Sequence, residues 1–203
     1  MDSLNPPEKD SLALHRNKFA DGCVLFHMRT LLLCLLASSV LATAQDNPLS
    51  TFNKRYYGQV KSWVLRSAEK TPEEVYGFKP TDQIRSFGQT VAHIADAQYL
   101  FCSMALEEKN PGLNIEKTKT NKADIIAALK ESFSYCDKAY DAMTDAGGAK
   151  MTSMFGNPAP MLGVLSTNNA HSMEHYGNMV TYMRLKNIVP ASSEARPAAP
   201  AKK

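Results

Sequence analysis

The sequence predicts an all-α domain, a four-helix bundle. Four segments of the 203-residue chain carry apolar side chains at spacings of three and four residues, and stretches rich in proline, glycine or asparagine separate them. The chain contains no credible strand and no internal repeat. Because each apolar stripe must be buried against another element, four such helices are expected to pack into one bundle.

The bulk composition is typical of one globular domain with flexible ends, since 44% of the residues are hydrophobic and 21% are charged. The formal net charge is only +3, and the basic residues are scattered along the chain. A nucleic-acid partner is therefore not predicted.

The chain is predicted to carry a leader before this domain. Residues 28–44, MRTLLLCLLASSVLATA, have one arginine, a short apolar run and a small-residue cleavage site, which is typical of a secretory signal peptide. Residues 1–27 are either a polar extension of the leader or the product of a start site assigned upstream of Met28. The mature protein is expected to begin near Gln45, to be periplasmic or secreted, and to keep no stable membrane span, with the bundle at 45–190.

The first helix is predicted to begin at Asn47-Pro48, with a capping side chain before a proline, and to end near residues 68–70. The next connection contains two prolines and a glycine and is predicted to be a loop with a short turn near residues 72–75. The buried stripe of this helix is predicted to contain Leu49, Phe52, Tyr56, Val60, Trp63 and Val64.

The second helix is predicted to begin at Ser86, because Gln89 follows three residues later and completes a capping box. On this helix His93 shares its face with Ala97, so His93 is predicted to point inward, with Asp96 near the edge of that face. After residues 110–112, Asn-Pro-Gly, a polar connection runs to Asn121.

That connection is longer than the usual link between antiparallel helices, which favours a parallel arrangement of helices two and three, with the ordinary up-and-down bundle as the alternative. The third helix is predicted to be capped by Thr120 or Asn121 and to end at Gly147-Gly148. Its stripe is predicted to contain Ile126, Leu129, Phe133, Cys136, Tyr140 and Met143.

The fourth helix is predicted to start near residues 158–161 and to end before Pro190, after a loop rich in Met, Gly and Pro. Residues 191–203 are mainly Ala, Pro, Ser and Lys and are predicted to be a disordered tail. Two cysteines, Cys102 and Cys136, remain in the mature chain. Buried thiols are slightly favoured for them over a disulfide, which the parallel arrangement would allow.

Only three histidines remain after the leader is removed, and all three are predicted to face the bundle interior. His171 and His175 lie one helical turn apart on the fourth helix, so both rings can point at one spot. With His93 from the second helix they would supply three ligands to one divalent metal ion, with a water molecule completing the shell.

Two other features of the fourth helix bear on a site. Residues 171–175 match H-x-x-E-H, an inverted zinc-protease motif, but the only later acid is Glu194, so protease chemistry is not favoured and Glu174 is expected at the rim. Asn168 and Tyr182 share the face of His175 and are candidates to orient ligands or substrate, or are polar residues at the ends of the bundle.

The second and fourth helices together resemble the DinB superfamily of metal-binding four-helix bundles, over residues 49–190. The resemblance is carried by residues 78–80 and 85–89, by VAHIAD at 91–96, by HSMEHYGN at 171–178 and by residues 181–184.

The resemblance implies an up-down-down-up bundle with a long crossover between helices two and three. It also implies that His93, His171 and His175 bind one divalent cation, most often zinc or nickel. Some relatives are metal-dependent transferases or isomerases that use low-molecular-weight thiols, and dimers are common in the family. Export would separate this protein from the cytoplasmic thiol pool.

Three hypotheses follow for the function. The protein is a metal-dependent transferase or hydrolase of unknown substrate, a non-catalytic module that binds a metal or small ligand, or a structural bundle whose histidines are core residues.

Overall fold

Four long helices form most of the chain that the computed structural model describes, residues 46–194. The leader predicted at 1–27 and 28–44 lies outside the described residues, as do residues 195–203. The long helices are α1 (Pro48–Lys70), α2 (Phe87–Leu106), α4 (Lys122–Ala142) and α6 (Met161–Leu185), with two one-turn helices, α3 (Ile115–Thr118) and α5 (Asp145–Gly148), a hairpin of β1 (Met151–Met154) and β2 (Asn157–Pro160), and 3-10 turns at Glu73–Val75 and Ala191–Ser193. Among these described helices, none has the length and apolar character needed to cross a membrane.

The bundle has the up-down-down-up arrangement, as the long second connection predicted. Helices α1 and α6 run parallel, α2 and α4 run parallel, and the two pairs are antiparallel to each other. Residue pairs that establish these directions are Asn53–Ser166 and Ser67–Tyr176 between α1 and α6, Gly88–Ile125 and Tyr99–Tyr135 between α2 and α4, Tyr57–Phe133 and Lys54–Asp141 between α1 and α4, and Gln98–Ser172 and His93–His175 between α2 and α6.

The buried face of α1 differs from the predicted stripe in its first half. Leu49 and Phe52 are 64% and 61% exposed, and Tyr56 is also exposed, whereas Val60 and Val64 are buried as predicted. The face that packs inward is rotated by one residue and begins with polar side chains: Ser50, Asn53, Tyr57, Val60, Val64, Ser67 and Ala68. These polar groups find hydrogen-bond partners in α5 and α6, which the apolar spacing alone could not reveal.

The capping predictions hold for two helices and fail for α1. Ser86 and Gln89 form both bonds of the capping box, and the Asn121 side chain caps α4. Asn47 does not cap α1; its side chain accepts a hydrogen bond from the backbone of Asp145 instead. The Asp145 carboxylate, from α5, accepts the first N–H groups of α1, so this helix is capped by a residue distant in sequence.

The core lies between the four long helices and includes a disulfide. Cys102 of α2 and Cys136 of α4 are bonded, with their Cα atoms 5.3 Å apart. The slight preference for free thiols was therefore wrong. The parallel arrangement brings the same ends of the two helices together, and both sulfurs are fully buried there.

The segment before α6, predicted to be loop, contains a hairpin. Helix α4 ends at Ala142, before the predicted glycine pair, and Gly148 belongs to α5. Strands β1 and β2 then pair antiparallel around a two-residue turn, Phe155-Gly156, in which both residues have positive φ. Prolines in β2 hid this strand from the sequence, yet a two-stranded ribbon leaves one edge of each strand unpaired, where proline is tolerated.

The chain after Pro190, predicted to be a disordered tail, packs against α1 in its described part, residues 191–194. Ala191 is buried and donates its backbone N–H to Ser67 of α1. Glu194 forms ion pairs with Arg66 and Lys70. Contacts with α1 supply the order that the local composition does not.

Candidate metal centre

The antiparallel packing of α2 against α6 brings all three predicted histidines to one point. His171 and His175 project from adjacent turns of α6, and His93 faces them from α2. The Nε2 atom of His171 lies 3.1 Å from Nε2 of His175 and 3.3 Å from Nε2 of His93. One ring nitrogen from each residue lies within 4.8 Å of the other two.

These distances fit a shared metal ion. With zinc-to-nitrogen bonds of about 2.0–2.1 Å and tetrahedral angles, two ligand nitrogens lie about 3.3 Å apart. The ring centroids are 4.4 to 5.1 Å apart; His175 meets each of the other two rings edge to face, and the rings of His93 and His171 are tilted by 47°. Without an ion, three nitrogens this close cannot all be satisfied by one another, because each contact needs one donor and one lone pair.

The electrostatics keep at least two of these rings neutral. Burial, followed by the neighbouring His175 and His93, lowers the pKa of His171 to about 4. Burial, followed by His93 and Arg85, likewise lowers the pKa of His175 to about 4. At neutral pH both rings therefore retain the lone pair that a metal ligand requires.

A carboxylate from the crossover orients His93. Oε2 of Glu116, on α3, lies 2.8 Å from Nδ1 of His93, and Oε1 accepts a hydrogen bond of 2.8 Å from Nε of Arg85. Burial alone would raise the pKa of Glu116, but the bonds from Arg85 and His93 bring it below its usual value. Since an ionised carboxylate can only accept, Nδ1 of His93 carries a proton, and Nε2 is the nitrogen that faces the other two histidines.

Helix α3 is itself held by α2. The Asp96 carboxylate accepts the backbone N–H groups of Ile115 and Glu116, at 2.8 and 2.9 Å. Ile115 is buried in the core, which fixes the other side of the turn. Asp96, one turn beyond His93 on the same helix, thus sets the position of the carboxylate that holds His93.

The remaining ring nitrogens are less well supported. The amide of Asn178 lies 3.5 Å from Nδ1 of His175, at the limit of a hydrogen bond. Nδ1 of His171 is buried and has no partner among the described residues. The ring of His171 is held by packing instead, with Phe101 at a centroid distance of 5.6 Å.

Pockets open on both sides of the three histidines. A pocket of about 600 Å³ borders His93 and His171 and is lined by Phe101, the hairpin residue Phe155 and Glu174, among others. A second, of about 780 Å³, borders His175 and is lined by Arg85 and Tyr182, among others. Small molecules can therefore reach the histidines from outside the bundle.

The two residues predicted to orient ligands lie in different places. Tyr182 lines the pocket beside His175 and donates a hydrogen bond to the carbonyl of Arg85. Asn168 is fully buried in the core, where it bonds to Gln98 and Tyr140 and has no hydrogen bond to a histidine. Glu174 is exposed at the rim, as expected, and Glu194 pairs with α1, which leaves the protease motif without a further acidic ligand.

Glu116, Arg85 and Asn178 were not proposed as site residues from the sequence. Asn178 follows His175 by three residues, so helical spacing could have identified it. Glu116 offered no such signal, because it lies in the polar crossover 23 residues after His93.

The fold and the histidines define a four-helix bundle with a cluster of ring nitrogens suited to a metal ion. The chain belongs to the DinB superfamily, whose family model matches residues 59–179 and thus includes all three histidines. No curated protein matches the chain.

Solved structures of DinB-like proteins share the fold. One from Bacillus subtilis is 19% identical, with a TM-score of 0.58, and the match covers 71% of this chain and 99% of the other. Another from Bacillus cereus is 16% identical, with a TM-score of 0.56, and covers 68% of this chain and 91% of the other. At these identities the likeness concerns the fold alone.

Proposed function

We propose that the protein binds one divalent metal ion through His93, His171 and His175. The observation that carries this proposal is the position of Nε2 of His171, 3.1 Å from Nε2 of His175 and 3.3 Å from Nε2 of His93, which is the spacing of ligands on a shared ion. Two of these rings are kept neutral, and the third is oriented by a carboxylate. Neutral imidazoles favour zinc, nickel, copper or iron over calcium or magnesium, and zinc or nickel is the choice most consistent with family membership.

We further propose that the site is enzymatic, as a transferase or hydrolase. The ion would supply Lewis-acid chemistry to a bound substrate or nucleophile. The chain supplies the rest: Glu116 holds the proton on Nδ1 of His93, and the two pockets admit and orient small molecules. Tyr182 and Arg85 line one of them and offer polar contacts to a substrate.

Elemental analysis of mature protein purified without a histidine tag tests the metal proposal. About one equivalent of metal is expected, with a marked loss in His171→Ala and in His93→Ala. Glu174→Gln is the matched control, because it changes the acid between the α6 histidines without removing a ring, and it should retain the metal. Full metal content in all single and double histidine variants would refute the site.

The alternative is a binding module that sequesters a metal or small ligand without turnover. It is supported by Nδ1 of His171, which has no hydrogen-bond partner within residues 46–194, whereas metal-binding histidines usually donate their other ring nitrogen to a carboxylate or carbonyl. A screen with thiols and hydrolysable substrates, comparing metal-loaded with metal-free protein, separates the two. Metal-dependent turnover supports the enzyme, and binding without turnover supports the module.

We also propose that the protein is exported to a periplasmic or extracellular compartment. The signal-peptide pattern at 28–44 supports this, and the bond between Cys102 and Cys136 is of a kind that persists in oxidising compartments. Cell fractionation and N-terminal sequencing should recover a mature chain that begins near Gln45. A cytoplasmic chain that retains residues 28–44 would contradict export.

A further inference from the structure

Phe155, at the tip of the hairpin, combines two unfavourable features. Its φ is +53°, in the left-handed region that bulky side chains rarely adopt, and it is followed by Gly156 at +81°. Its side chain is also 63% exposed. Turns with two positive φ values normally take asparagine, aspartate or glycine at the first position, so neither the turn nor burial explains a phenylalanine here.

The ring of Phe155 faces the histidine pocket. It stands edge-on to Phe101 with centroids 5.9 Å apart, and Phe101 in turn lies against His171. The hairpin is anchored, because Ala159 near its base and Met154 beside its turn pack with Phe101 in a small apolar cluster beside the main core. The hairpin therefore holds an exposed aromatic ring at the mouth of the pocket that leads to His171 and His93.

The pocket wall beyond the histidines is mainly apolar. Its apolar lining residues are Ala97, Leu100, Phe101, Leu113, Phe155 and Ala170. Leu113, on the crossover opposite the hairpin, is likewise exposed. Contact with an apolar group of a ligand is favourable for such side chains, because it removes their apolar surface from water.

The charged groups of the pocket offer few free hydrogen-bonding atoms to a charged molecule. Both oxygens of Asp96 accept backbone N–H groups of α3, and both oxygens of Glu116 are bonded to Arg85 and His93. That leaves Lys117 and Glu174, one of each sign and both exposed at the rim.

We propose that this pocket binds a small molecule with an uncharged aromatic or branched alkyl body, which packs against Phe155 and Phe101 and directs a polar head group toward the histidines. The inference names the substrate class for the proposed metal site and so rests on the proposed function. The nearby pocket lined by Lys79, Arg85 and Lys119 is polar and borders none of the three histidines, so it is not the binding site for the apolar part of this molecule.

Two metal-chelating probes that differ only in their apolar substituent test the proposal. Benzohydroxamate carries a phenyl ring and acetohydroxamate a methyl group on the same chelating head. Their dissociation constants are measured by calorimetry on protein loaded with one equivalent of zinc. Benzohydroxamate is expected to bind about tenfold more tightly or better, because its ring buries apolar surface against the pocket wall.

Phe155→Asn removes the ring while leaving a residue that tolerates positive φ, so the hairpin keeps its turn. It should remove most of the preference for benzohydroxamate while leaving acetohydroxamate binding unchanged, and Phe155→Tyr should preserve the preference. Phe52→Ala is the matched control, because Phe52 is a similarly exposed phenylalanine on α1 and does not line the pocket.

The outcomes separate this inference from the metal proposal. Protein that takes up neither zinc nor nickel refutes the metal site and the inference with it. Protein that takes up zinc but binds both hydroxamates equally, or keeps its preference in Phe155→Asn, refutes the inference alone.

Discussion

Glu116 shows how much of the site depends on one residue outside the histidine set. It accepts from Nδ1 of His93 and is held in turn by Arg85. Side chains that orient a ligand in this way typically change metal affinity when removed, although they never touch the ion. In the proposed metal site the histidines would supply the ligands, and this carboxylate fixes the proton on Nδ1 of one of them.

Glu116→Ala is expected to weaken metal binding by about 10- to 100-fold, because His93 loses the partner that fixes its ring and tautomer. Competition with a chromophoric chelator measures the affinity. Glu116→Gln, which can still accept the hydrogen bond, should lose less. Glu69→Ala removes an exposed carboxylate paired with Lys130 and should leave the affinity unchanged; an equal loss in this control would show a nonspecific charge effect.

The two depressed histidine pKa values predict an acid-sensitive apoprotein. The unfolded chain binds protons as the pH falls through the ordinary histidine value of 6.5, whereas the folded chain keeps His171 and His175 neutral down to about 4. Their contribution to folding is therefore complete above pH 6.5 and is lost progressively as the pH falls toward 4.

Thermal unfolding in excess chelator, at about pH 7 and about pH 5, measures this effect. The midpoint should be lower at the acid pH. The double variant His171→Asn with His175→Asn should show a smaller difference between the midpoints at the two pH values. The lowered pKa of Glu116 adds acid sensitivity only at lower pH, since the ordinary value of that carboxyl is 4.5. An unchanged pH dependence in the double variant would exclude the two histidines as its source.

At the scale of the element, α3 is the part of the crossover that reaches the site. Its single turn is too short to be stable alone, and it is held by the Asp96 carboxylate and by burial of Ile115. The hairpin plays a comparable part on the other side, since its anchored base sets the position of Phe155. Both elements lie in segments whose composition predicted only loop.

Asp96→Ala is expected to weaken metal binding through Glu116, because α3 loses the carboxylate that caps its first two N–H groups. The loss should be several-fold in the native background and should nearly vanish when Glu116→Ala is already present, since the two residues act in series. The same chelator competition measures the metal affinity in both backgrounds. Independent, additive losses would mean that Asp96 supports the site by another route.

At the scale of the whole molecule, the disulfide joins the two parallel helices that the crossover separates. Cys102 and Cys136 are 34 residues apart, so their bond restricts the unfolded chain considerably. The bond also lies in the core between α2 and α4, where the amide of Asn168 contacts both sulfurs. Reduction should therefore affect the stability of the entire bundle and not only of its surface.

Reduction is expected to lower the free energy of unfolding by about 2–4 kcal/mol, from the loop-closure entropy of a cross-link of this length. Urea unfolding with and without reductant measures the difference. The variant Cys102→Ser with Cys136→Ser should be insensitive to reductant. Equal stability of the oxidised and reduced wild-type protein would mean that the bond does not cross-link the folded chain.

The four long helices, their directions and the inward positions of the three histidines were predictable, because they follow from side-chain spacing and connection length. Even so, the first half of α1 was misassigned. There polar residues pack inward against α5 and α6, and an apolar stripe faces outward. Spacing identifies a helix more reliably than it identifies the buried face when polar partners are available elsewhere in the fold.

The amino-acid order was sufficient for the helices and for the pair His171 and His175, since these depend on residues within one or two turns of each other. The pairing of Glu116 with His93, the ring of Phe155 at the pocket and the bond between the cysteines required the folded chain. Each joins segments whose distance in space is set by how the connections cross the bundle, and no local spacing encodes that path.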